Sequence, residues 1–454
     1  MLPKPLRFLW GDLTNEELKK FGILSAAMML IIGNYWMLRT TKNAVFDMFV
    51  GFRQYQPIVK MISLFVMIFL VLVYSKLVDL MKKQHLIYLF CVAYSILFIL
   101  IGYAIANPQM ATMQPTSFFY PLFSWIPGSI IGWISYVLLE SYGSLLIALF
   151  YAFIASVMTT ESAKKGYGML FFLTQIGTIT GSFITAKYST ILGLDKLYIF
   201  GGLIILIAPF IIMFYTKVIP QQLTTVQKLT SQKTDTGFLE GLKILLTRPY
   251  VMGILVVATI YEIIGTIVEY QMNWIASGLY TTAGEFATFN AYLGIGINSL
   301  ALIFALVGTS YFMRNFGLKF CLMAFPVIIG TIIITTFFFY YSGIAEAQLM
   351  WTLLAAMIAI KGFSYTLNKP SSEVLYIPTT KDIKFKSKSW IDSFGGRSTK
   401  GIGALASNSL KYSLPALMIY GSLISLGIVG VWIVIAALTG KKFQQLQEDN
   451  SFVE

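Results

Sequence analysis

The stretch Leu86–Ala106, with the sequence LIYLFCVAYSILFILIGYAIA, is apolar throughout and carries no charged side chain. Ile58–Val78 and Ile419–Leu438 are further blocks of about 20 mostly apolar residues, the helix length that crosses the hydrocarbon core of a bilayer. The 454-residue chain is 57% hydrophobic and only 12% charged, whereas a soluble domain carries about 25% charged residues. The sequence therefore predicts an all-α polytopic membrane protein.

Polar breaks between the apolar blocks divide the chain into twelve predicted spans. A long polar loop after the sixth span separates two halves of six spans each. Residues 107–130 form a connection that contains Pro and Gly and is expected to enter the membrane in part. The twelve predicted spans are 21–39, 57–79, 86–106, 131–158, 167–191, 197–216, 249–273, 288–312, 318–341, 346–367, 397–414 and 416–438.

The same breaks define the domain organisation. We expect two six-helix bundles that are joined by a central cytoplasmic loop and flanked by cytoplasmic ends. In residue numbers, these are the N-terminal segment 1–20, the first bundle 21–216, the central loop 217–247, the second bundle 248–440 with a basic cytoplasmic segment at 369–396, and the tail 441–454.

The distribution of basic residues gives the orientation in the membrane. With the N-terminus inside, 25 of the 33 Lys and Arg residues fall on the cytoplasmic side, and the outer connections 107–117, 274–287 and 342–345 contain none. This positive-inside pattern predicts that both termini are cytoplasmic. It also accounts for most of the net charge of +13, so we expect the lipid bilayer, and not a nucleic acid, to be the partner of these charges.

Residues for enzymatic or metal chemistry are sparse. Cys91 and Cys321 lie inside apolar spans and His85 is the only histidine, so neither a catalytic triad nor a metal centre is expected. The segment 395–403, GGRSTKGIG, lacks the Gly-Lys-Ser/Thr ending and the preceding strand of a phosphate loop. We therefore expect no enzyme and no cofactor, although this helix start could still present backbone N–H groups to a phosphate.

Charged residues inside the predicted spans indicate a polar interior, because charge in contact with lipid is costly. Arg39 and Lys42 lie three residues apart on one helical face, and Lys60 follows early in the next span. Three cations in this arrangement predict a binding site for an anionic substrate. Lys361 also fits the role of a structural ion-pair partner, and Glu262 that of a local cap or pair.

Glu140 lies between apolar turns, near the middle of the bilayer, where the binding sites of transporters are usually found. Its carboxylate could pair with a lysine of the cavity, carry a coupling proton, or contact an amino or hydroxyl group of a ligand. The sequence does not decide among these roles.

Several motifs resemble those of the ATP/ADP translocases, the nucleotide transporters of obligate intracellular bacteria and plastids. The resemblance covers most of the chain and is most specific between residues 369 and 400. The matching positions are Asn34-Tyr35, Leu38-Arg39 and Thr41-Lys42, Pro57 and Lys60, Leu139-Glu140-Ser141-Tyr142-Gly143, Val268-Glu269 with Trp274, and Pro370, Glu373, Tyr376-Ile377-Pro378, Lys386, Lys388, Asp392, Gly396-Arg397 and Lys400.

The resemblance implies a 6+6 architecture like that of the major facilitators, and the exchange of ATP for ADP and phosphate by alternating access. It also implies that Lys42, Glu140, Glu269 and Lys388 contact the nucleotide. We expect a monomer in the inner membrane of an intracellular bacterium. With the neighbouring cations included, the predicted substrate-binding residues are Arg39, Lys42, Lys60, Glu140, Glu269, Lys388, Arg397 and Lys400.

Two departures from the family pattern bear on selectivity. Asn43 stands where an acid is expected, and Ile275-Ala276-Ser277 stands where basic residues are expected. Within 369–400, the expected phosphate ligands are Lys388, Arg397 and Lys400, whereas Lys381, Lys384 and Lys386 are expected to anchor the segment or attract anions.

The chemistry of a nucleotide fits these residues. A polyphosphate requires several Lys or Arg donors. Adenine requires an aromatic face, for which the spans offer Tyr35, Trp36, Tyr136 and Tyr270, although each also fits ordinary packing. A cavity lined by unpaired cations would resist closing until an anion binds, which would make transport an exchange.

Two other functions remain open. A proton-coupled importer of nucleotides, or of a related phosphorylated anion, would use Glu140 or Glu269 to carry the proton. A receptor or structural membrane protein fits less well, because a scaffold has little use for charges such as Lys42 inside the membrane.

Overall fold

The computed structural model describes residues 14–111, 124–158, 160–219, 238–307, 309–380, 383, 387–449 and 451–453. This part of the chain is helical apart from its connections and one isolated β-bridge between Thr379 and Val453. Its helices are α1 Asn15–Phe49, α2 Phe52–Leu80, α3 Lys83–Ala106, α4 Pro108–Ala111, α5 Ile130–Ser141, α6 Ile147–Val157, α7 Thr160–Tyr188, α8 Leu194–Ile205, α9 Ile207–Val218, α10 Phe238–Thr247, α11 Pro249–Thr259, α12 Tyr261–Leu279, α13 Ala283–Val307, α14 Thr309–Tyr341, α15 Glu346–Phe363, α16 Lys369–Val374, α17 Lys388–Trp390, α18 Gly396–Leu410 and α19 Leu414–Glu448.

Irregular helical turns interrupt several of these helices. Three π-helical turns, π1 Tyr142–Leu146, π2 Ser364–Asn368 and π3 Ile391–Gly395, follow α5, α15 and α17 without a break in the chain path. Helix α14 is kinked at Gly317, whose φ of 78° lies in the left-handed region that favours glycine. Wide π turns occur often at functional sites.

Eleven helices of the described residues are long and apolar enough to cross a membrane. A helix satisfies its backbone hydrogen bonds internally, which is what a chain in lipid requires. The prediction of an all-α polytopic membrane protein is therefore confirmed. The eleven candidate spans are Asn15–Phe49, Phe52–Val78, Lys83–Ala106, Ile130–Val157, Gly166–Tyr188, Leu194–Val218, Pro249–Leu279, Ala283–Phe304, Asn315–Tyr341, Glu346–Val374 and Leu414–Glu448.

The predicted span 397–414 differs from the other eleven. It corresponds to α18, whose 15 residues extend about 22 Å, less than the roughly 30 Å of a bilayer core. With α17 and π3 before it, the helical run extends from Lys388 to Leu410, but its first half carries several charged residues. The run Lys388–Leu410 is long enough to cross the bilayer core, and its polarity distinguishes it from the eleven candidate spans.

Several predicted segments lie wholly or partly outside the described residues. These are the N-terminal segment 1–20, the connection 107–130, the central loop 217–247, and the anchor residues Lys381, Lys384 and Lys386.

Apolar side chains cover much of the protein surface, as contact with lipid requires. Phe65, Phe69, Phe210 and Phe338 are each between 64% and 69% exposed. Large exposed apolar patches of this kind are rare on soluble monomers and typical of membrane surfaces. The charged side chains discussed below are in contrast mostly buried or partly buried.

The chain forms two compact units. The first unit consists of Met1–Phe52, Phe65–Lys233 and Tyr280–Asn298, and the second of Arg53–Leu64, Thr234–Leu279 and Ser299–Glu454.

Helix α1 is the packing centre of the first unit, and small residues let α7 approach it closely. Gly177 and Gly181 form a Gly-xxx-Gly pair on α7, and a Cβ atom at Gly181 would overlap the carbonyl oxygen of Gly33 on α1. A Cβ atom at Gly177 would lie 2.5 Å from the carbonyl oxygen of Met29. Backbone contact of this type is a standard way of packing membrane helices, and here it fixes the helix that carries Arg39 and Lys42.

Candidate functional site

Lys42 and Glu140 form an ion pair between α1 and α5. The Lys42 ammonium donates a hydrogen bond to Glu140 and lies 4.1 Å from the ring centroid of Tyr136. The Lys42 side chain is 10% exposed and that of Glu140 is 35% exposed. Of the roles that the sequence leaves open for Glu140, pairing with a lysine is therefore the one seen here, and the Glu140 side chain still retains accessible surface.

The two motifs that flank this pair also contact each other. The hydroxyl group of Tyr142 donates to the carbonyl oxygen of Ile31 at 2.8 Å, and the Asn34 amide donates to the same hydroxyl at 3.4 Å. Gly143 lies against the ring of Tyr35, where a Cβ atom would come within 2.5 Å of the ring atoms. The aromatic residue and the glycine after Glu140 thus hold the start of π1 against α1, which places Glu140 beside Lys42.

Arg39 lies on the same face of α1 as Lys42. Its guanidinium carbon is 4.5 Å from the ring centroid of Trp36 and 5.7 Å from that of Tyr35, distances typical of cation–π contacts. Arg39 and Lys42 therefore each contact aromatic rings of the first unit, Arg39 those of Tyr35 and Trp36 and Lys42 that of Tyr136.

Only one of the four aromatic residues proposed for adenine presents substantial surface. Tyr136 and Tyr270 are at most 1% exposed and Trp36 is 9% exposed, so their rings pack in the protein. Tyr35 is partly exposed and stacks on Tyr142 at 5.8 Å with an interplanar angle of 29°. The suggestion of Tyr136, Tyr270 and Trp36 as base platforms is wrong because their faces are buried, and Tyr35 remains.

Asn43, the departure from the family pattern after Lys42, forms a neutral contact. Its amide nitrogen donates to the amide oxygen of Asn290 at 3.3 Å, and both residues are buried. An acid at this position would compete for the nearby cations. The amide pair therefore leaves the positive charge of Lys42 opposed mainly by Glu140.

A second ion pair lies in the second unit. The Lys60 ammonium donates to the Glu269 carboxylate at 2.9 Å, with 11% and 26% of the two side chains exposed. Lys60 comes from the first turns of α2 and Glu269 from α12. Lys60 and Glu269, both predicted substrate-binding residues, are thus brought together.

Lys388 also has a carboxylate partner. Its ammonium donates to Glu373, and it lies 5.5 Å from the ring centroid of Tyr376. The side chains are 31% and 47% exposed, so this pair is more accessible than the others. Burial raises the pKa of the Tyr376 phenol above its usual value.

A third cluster joins α12, α15 and α18. The Lys361 ammonium donates to Glu262 at 2.6 Å, and the Lys400 nitrogen lies 3.8 Å from the other Glu262 oxygen. The ion-pair interpretation of Lys361 and Glu262 is therefore confirmed. Arg397 is partly buried and lies three residues before Lys400, which places both on one face of α18.

Arg53 and Trp274 form a contact that the sequence did not predict. The Arg53 side chain donates to the Trp274 carbonyl oxygen at 2.9 Å and lies 3.9 Å from its ring centroid. The Trp274 indole donates to the carbonyl oxygen of Lys411 at 3.0 Å, and Lys411 donates to that of Gln54 at 2.9 Å. The conspicuous tryptophan five residues after Glu269 was the available signal, and its role here is to tie α2, α12 and the end of α18 together.

The predicted cations are thus paired, and not bare. Lys42, Lys60 and Lys388 each contact a carboxylate, and Lys400 lies near one. The picture of a cavity lined by unpaired cations is wrong for Lys42, Lys60 and Lys388, because the chain supplies a carboxylate partner for each, whereas Lys400 shares Glu262 with Lys361. Within the described residues, no group of three or more His, Cys, Asp or Glu side chains is arranged to hold a metal ion.

The helix arrangement is that of a membrane transporter. A bacterial homologue of the iron transporter ferroportin superposes with a TM-score of 0.61 at 15% identity, covering 93% of this chain and 98% of that one. The nucleoside transporter NupG superposes with a TM-score of 0.60 at 12% identity, covering 95% and 99%. These similarities confirm the major-facilitator-like architecture.

The chain belongs to the TLC ATP/ADP transporter family, whose sequence model matches residues 3–443. It is therefore a multi-pass membrane transporter and not an enzyme. It is 24% identical to ADP,ATP carrier protein 1 of Rickettsia typhi, over 98% of this chain and 97% of the relative. It is 26% identical to the chloroplastic ADP,ATP carrier protein 2 of Arabidopsis thaliana, over 95% of this chain and 76% of the relative. The resemblance drawn from the motifs is therefore confirmed.

Proposed function

We propose that this chain exchanges ATP for ADP across a membrane by alternating access, with the Lys42–Glu140 pair at the centre of the nucleotide site. The family assignment supports nucleotides as substrates. The observation that carries the proposal is the cluster on α1, where Lys42 contacts Glu140 and where Arg39, three residues before Lys42, contacts the partly exposed ring of Tyr35. Two cations and one aromatic face are the groups that a phosphorylated base requires.

Binding of the phosphates requires an exchange of partners in this proposal. Lys42 contacts Glu140, so a phosphate oxygen must compete with the carboxylate for the ammonium group. When the nucleotide leaves, the ion pair between Lys42 and Glu140 can form again, which limits the free-energy cost of a buried, unpaired charge. The carboxylate thus acts as an internal counter-ion, which explains why an acid is needed in a site for an anion.

The second unit supplies further phosphate ligands in the same proposal. Lys60 is paired with Glu269, so a phosphate oxygen would compete with this carboxylate for the Lys60 ammonium, as proposed for Lys42 and Glu140. Lys388, Arg397 and Lys400 lie on the N-terminal, more polar part of the helical run from Lys388 to Leu410. We also propose that phosphate accompanies ADP as a substrate, that the chain acts as a monomer, and that it resides in the inner membrane of an intracellular bacterium, as its Rickettsia relatives suggest.

Proton-coupled import is the less favoured function, because its two candidate proton carriers have lysine partners. Glu140 contacts Lys42 and Glu269 contacts Lys60. A cation at hydrogen-bonding distance stabilises the ionised carboxylate, which opposes proton uptake.

Competition for uptake tests the substrate class. In proteoliposomes preloaded with ADP, unlabelled ATP and ADP in tenfold excess over near-saturating labelled ATP should reduce its uptake by up to about tenfold, whereas adenosine should not. In proteoliposomes that hold no nucleotide, uptake of labelled ATP should not increase when the outside medium is acidified. Strong competition by adenosine would contradict the phosphate-based site, and net uptake driven by the pH jump would support the proton-coupled alternative.

The accessible ring of Tyr35 gives a prediction for the base. Stacking contributes about 1–3 kcal/mol per base, so we expect Tyr35→Ala to raise the KM for ATP by roughly 5- to 150-fold. Tyr35→Phe keeps the ring and should stay within about twofold. Because Tyr35 also packs on Gly143, thermal melting of both variants should be compared. Equal KM values for the alanine and phenylalanine variants would contradict the stacking role.

A further inference from the structure

Glu262 is the centre of a three-residue cluster in the second unit. Lys361 donates to one carboxylate oxygen at 2.6 Å, whereas the Lys400 nitrogen is 3.8 Å from the other, beyond hydrogen-bonding distance. The side chains of Glu262 and Lys361 are 11% and 15% exposed, but that of Lys400 is 44% exposed. Two of the three groups are therefore enclosed, and the third reaches an accessible surface.

An irregular turn lies within five residues of each of the three positions. The span Pro249–Leu279 breaks at Ile260 between α11 and α12, two residues before Glu262. The π2 turn begins three residues after Lys361, and π3 ends five residues before Lys400. Interrupted helices in transporters commonly line binding sites, because their backbone must be satisfied within protein or water.

A close helix contact fixes the cluster. Gly403 lies one turn after Lys400, and a Cβ atom there would come within 2.7 Å of the Ile263 carbonyl oxygen. This contact holds α18 directly on α12 beside Glu262. On the other side, Gly265 lies next to the Lys361 ammonium, which would be in ordinary contact, at 3.5 Å, with a Cβ atom at that position.

The charges of the cluster do not balance. Two lysines share one carboxylate, which leaves a net charge of +1, and the next carboxylate, Glu269, is paired with Lys60. Lys361 satisfies Glu262 through a direct hydrogen bond and does not need Lys400 for this. The positive charge of Lys400 is therefore in excess, and a charge in excess within a membrane protein is costly unless it serves a ligand.

We infer that Glu262, Lys361 and Lys400 form a phosphate subsite, in which Lys400 binds a phosphate group of the nucleotide while Lys361 keeps Glu262 neutralised. The identity of the ligand as a nucleotide rests on the proposed function. Lys400 can leave Glu262 without exposing an unpaired carboxylate, because Lys361 remains. This arrangement distinguishes the cluster from the Lys42–Glu140 pair, where one lysine must serve both partners.

Opposite charge changes test the subsite in the purified full-length chain. Lys400→Gln reduces the net charge of the cluster to zero, so affinity for ATP and for the probe inorganic pyrophosphate should fall by about tenfold or more, as expected for one charge-assisted hydrogen bond. Glu262→Gln raises the net charge to +2 and should tighten pyrophosphate binding. Lys441→Gln, a matched change at an exposed lysine of α19, should leave both affinities unchanged.

The direction of the two effects decides the outcome. Unchanged pyrophosphate affinity in Lys400→Gln, or weakened binding in both the Lys400 and Glu262 variants, would overturn the subsite, because the second result marks a structural ion-pair cluster. Lys400→Gln retains the Lys361–Glu262 pair, so it decides the question even if Glu262→Gln does not fold. A third outcome separates the two proposals. If Lys400→Gln binds pyrophosphate more weakly than the wild-type chain, but the wild-type chain exchanges no nucleotide, the subsite is supported and the proposed function is contradicted.

Discussion

Replacing Lys42 by alanine is expected to reduce nucleotide exchange by at least about 100-fold, and replacing Glu140 by alanine is expected to do the same. Loss of a charge-assisted hydrogen bond to phosphate removes about 1.5–3 kcal/mol, or roughly 10- to 150-fold. Either change also leaves one partly buried charge without its partner, which adds to the loss. The measurement is the uptake of labelled ATP into proteoliposomes that contain equal amounts of monodisperse protein.

A charge swap separates a substrate role from a structural one. The double variant Lys42→Glu/Glu140→Lys keeps the ion pair but moves the cation from α1 to α5. We expect this variant to assemble and to remain inactive, whereas a purely structural pair would recover exchange. Lys196→Ala, at an exposed lysine of the first unit, is the matched control and should retain activity. Full activity in both single alanine variants would contradict the site.

Replacing Gly181 by leucine is expected to prevent the first unit from folding stably. Even a Cβ atom at Gly181 would overlap the carbonyl oxygen of Gly33, and the two backbones cannot separate without moving α1 from α7. Overpacking costs about 1–3 kcal/mol when side chains can adjust, and we expect a loss above that range because backbone atoms block the position. Thermal melting and the monodisperse fraction in detergent measure the loss.

The control for this substitution is Gly430→Leu on α19. No neighbouring atom lies within 4 Å of a Cβ atom at Gly430, and the residue is exposed, so leucine should be tolerated there. If Gly181→Leu melted like Gly430→Leu, the close packing of α1 on α7 would not be needed for stability.

The membrane spans could be read from the sequence because the signal is local. The composition of a run such as Leu86–Ala106 is enough to predict an apolar helix, and the structure has α3 at Lys83–Ala106. The apolar signal is weakest for the predicted span 397–414, where glycine and polar residues dominate. There the helix is set by tertiary contacts such as that of Gly403 with Ile263, which composition does not encode.

The site residues could be named from motifs, but their partners could not. Lys42 and Glu140 are 98 residues apart, and Lys60 and Glu269 are 209 apart, so no periodicity relates them. Intramembrane charge indicated that partners must exist, and only the packing of the helices shows which carboxylate each lysine contacts.

The aromatic residues show a second limit of sequence reasoning. Tyr35 and Trp36 are adjacent on α1, yet Trp36 is 9% exposed while Tyr35 retains an accessible face. A tyrosine that packs and a tyrosine that binds a base look alike in sequence, because the difference lies in neighbours such as Gly143 that come from another helix.

The release of labelled ATP from preloaded proteoliposomes tests nucleotide exchange through this site most directly. With wild-type protein, we predict that release is rapid when ADP is outside and at least about tenfold slower when the outside holds no nucleotide, and that Lys42→Ala removes the rapid phase. Equally fast release with and without external ADP, or a rapid phase that persists in Lys42→Ala, would contradict the account.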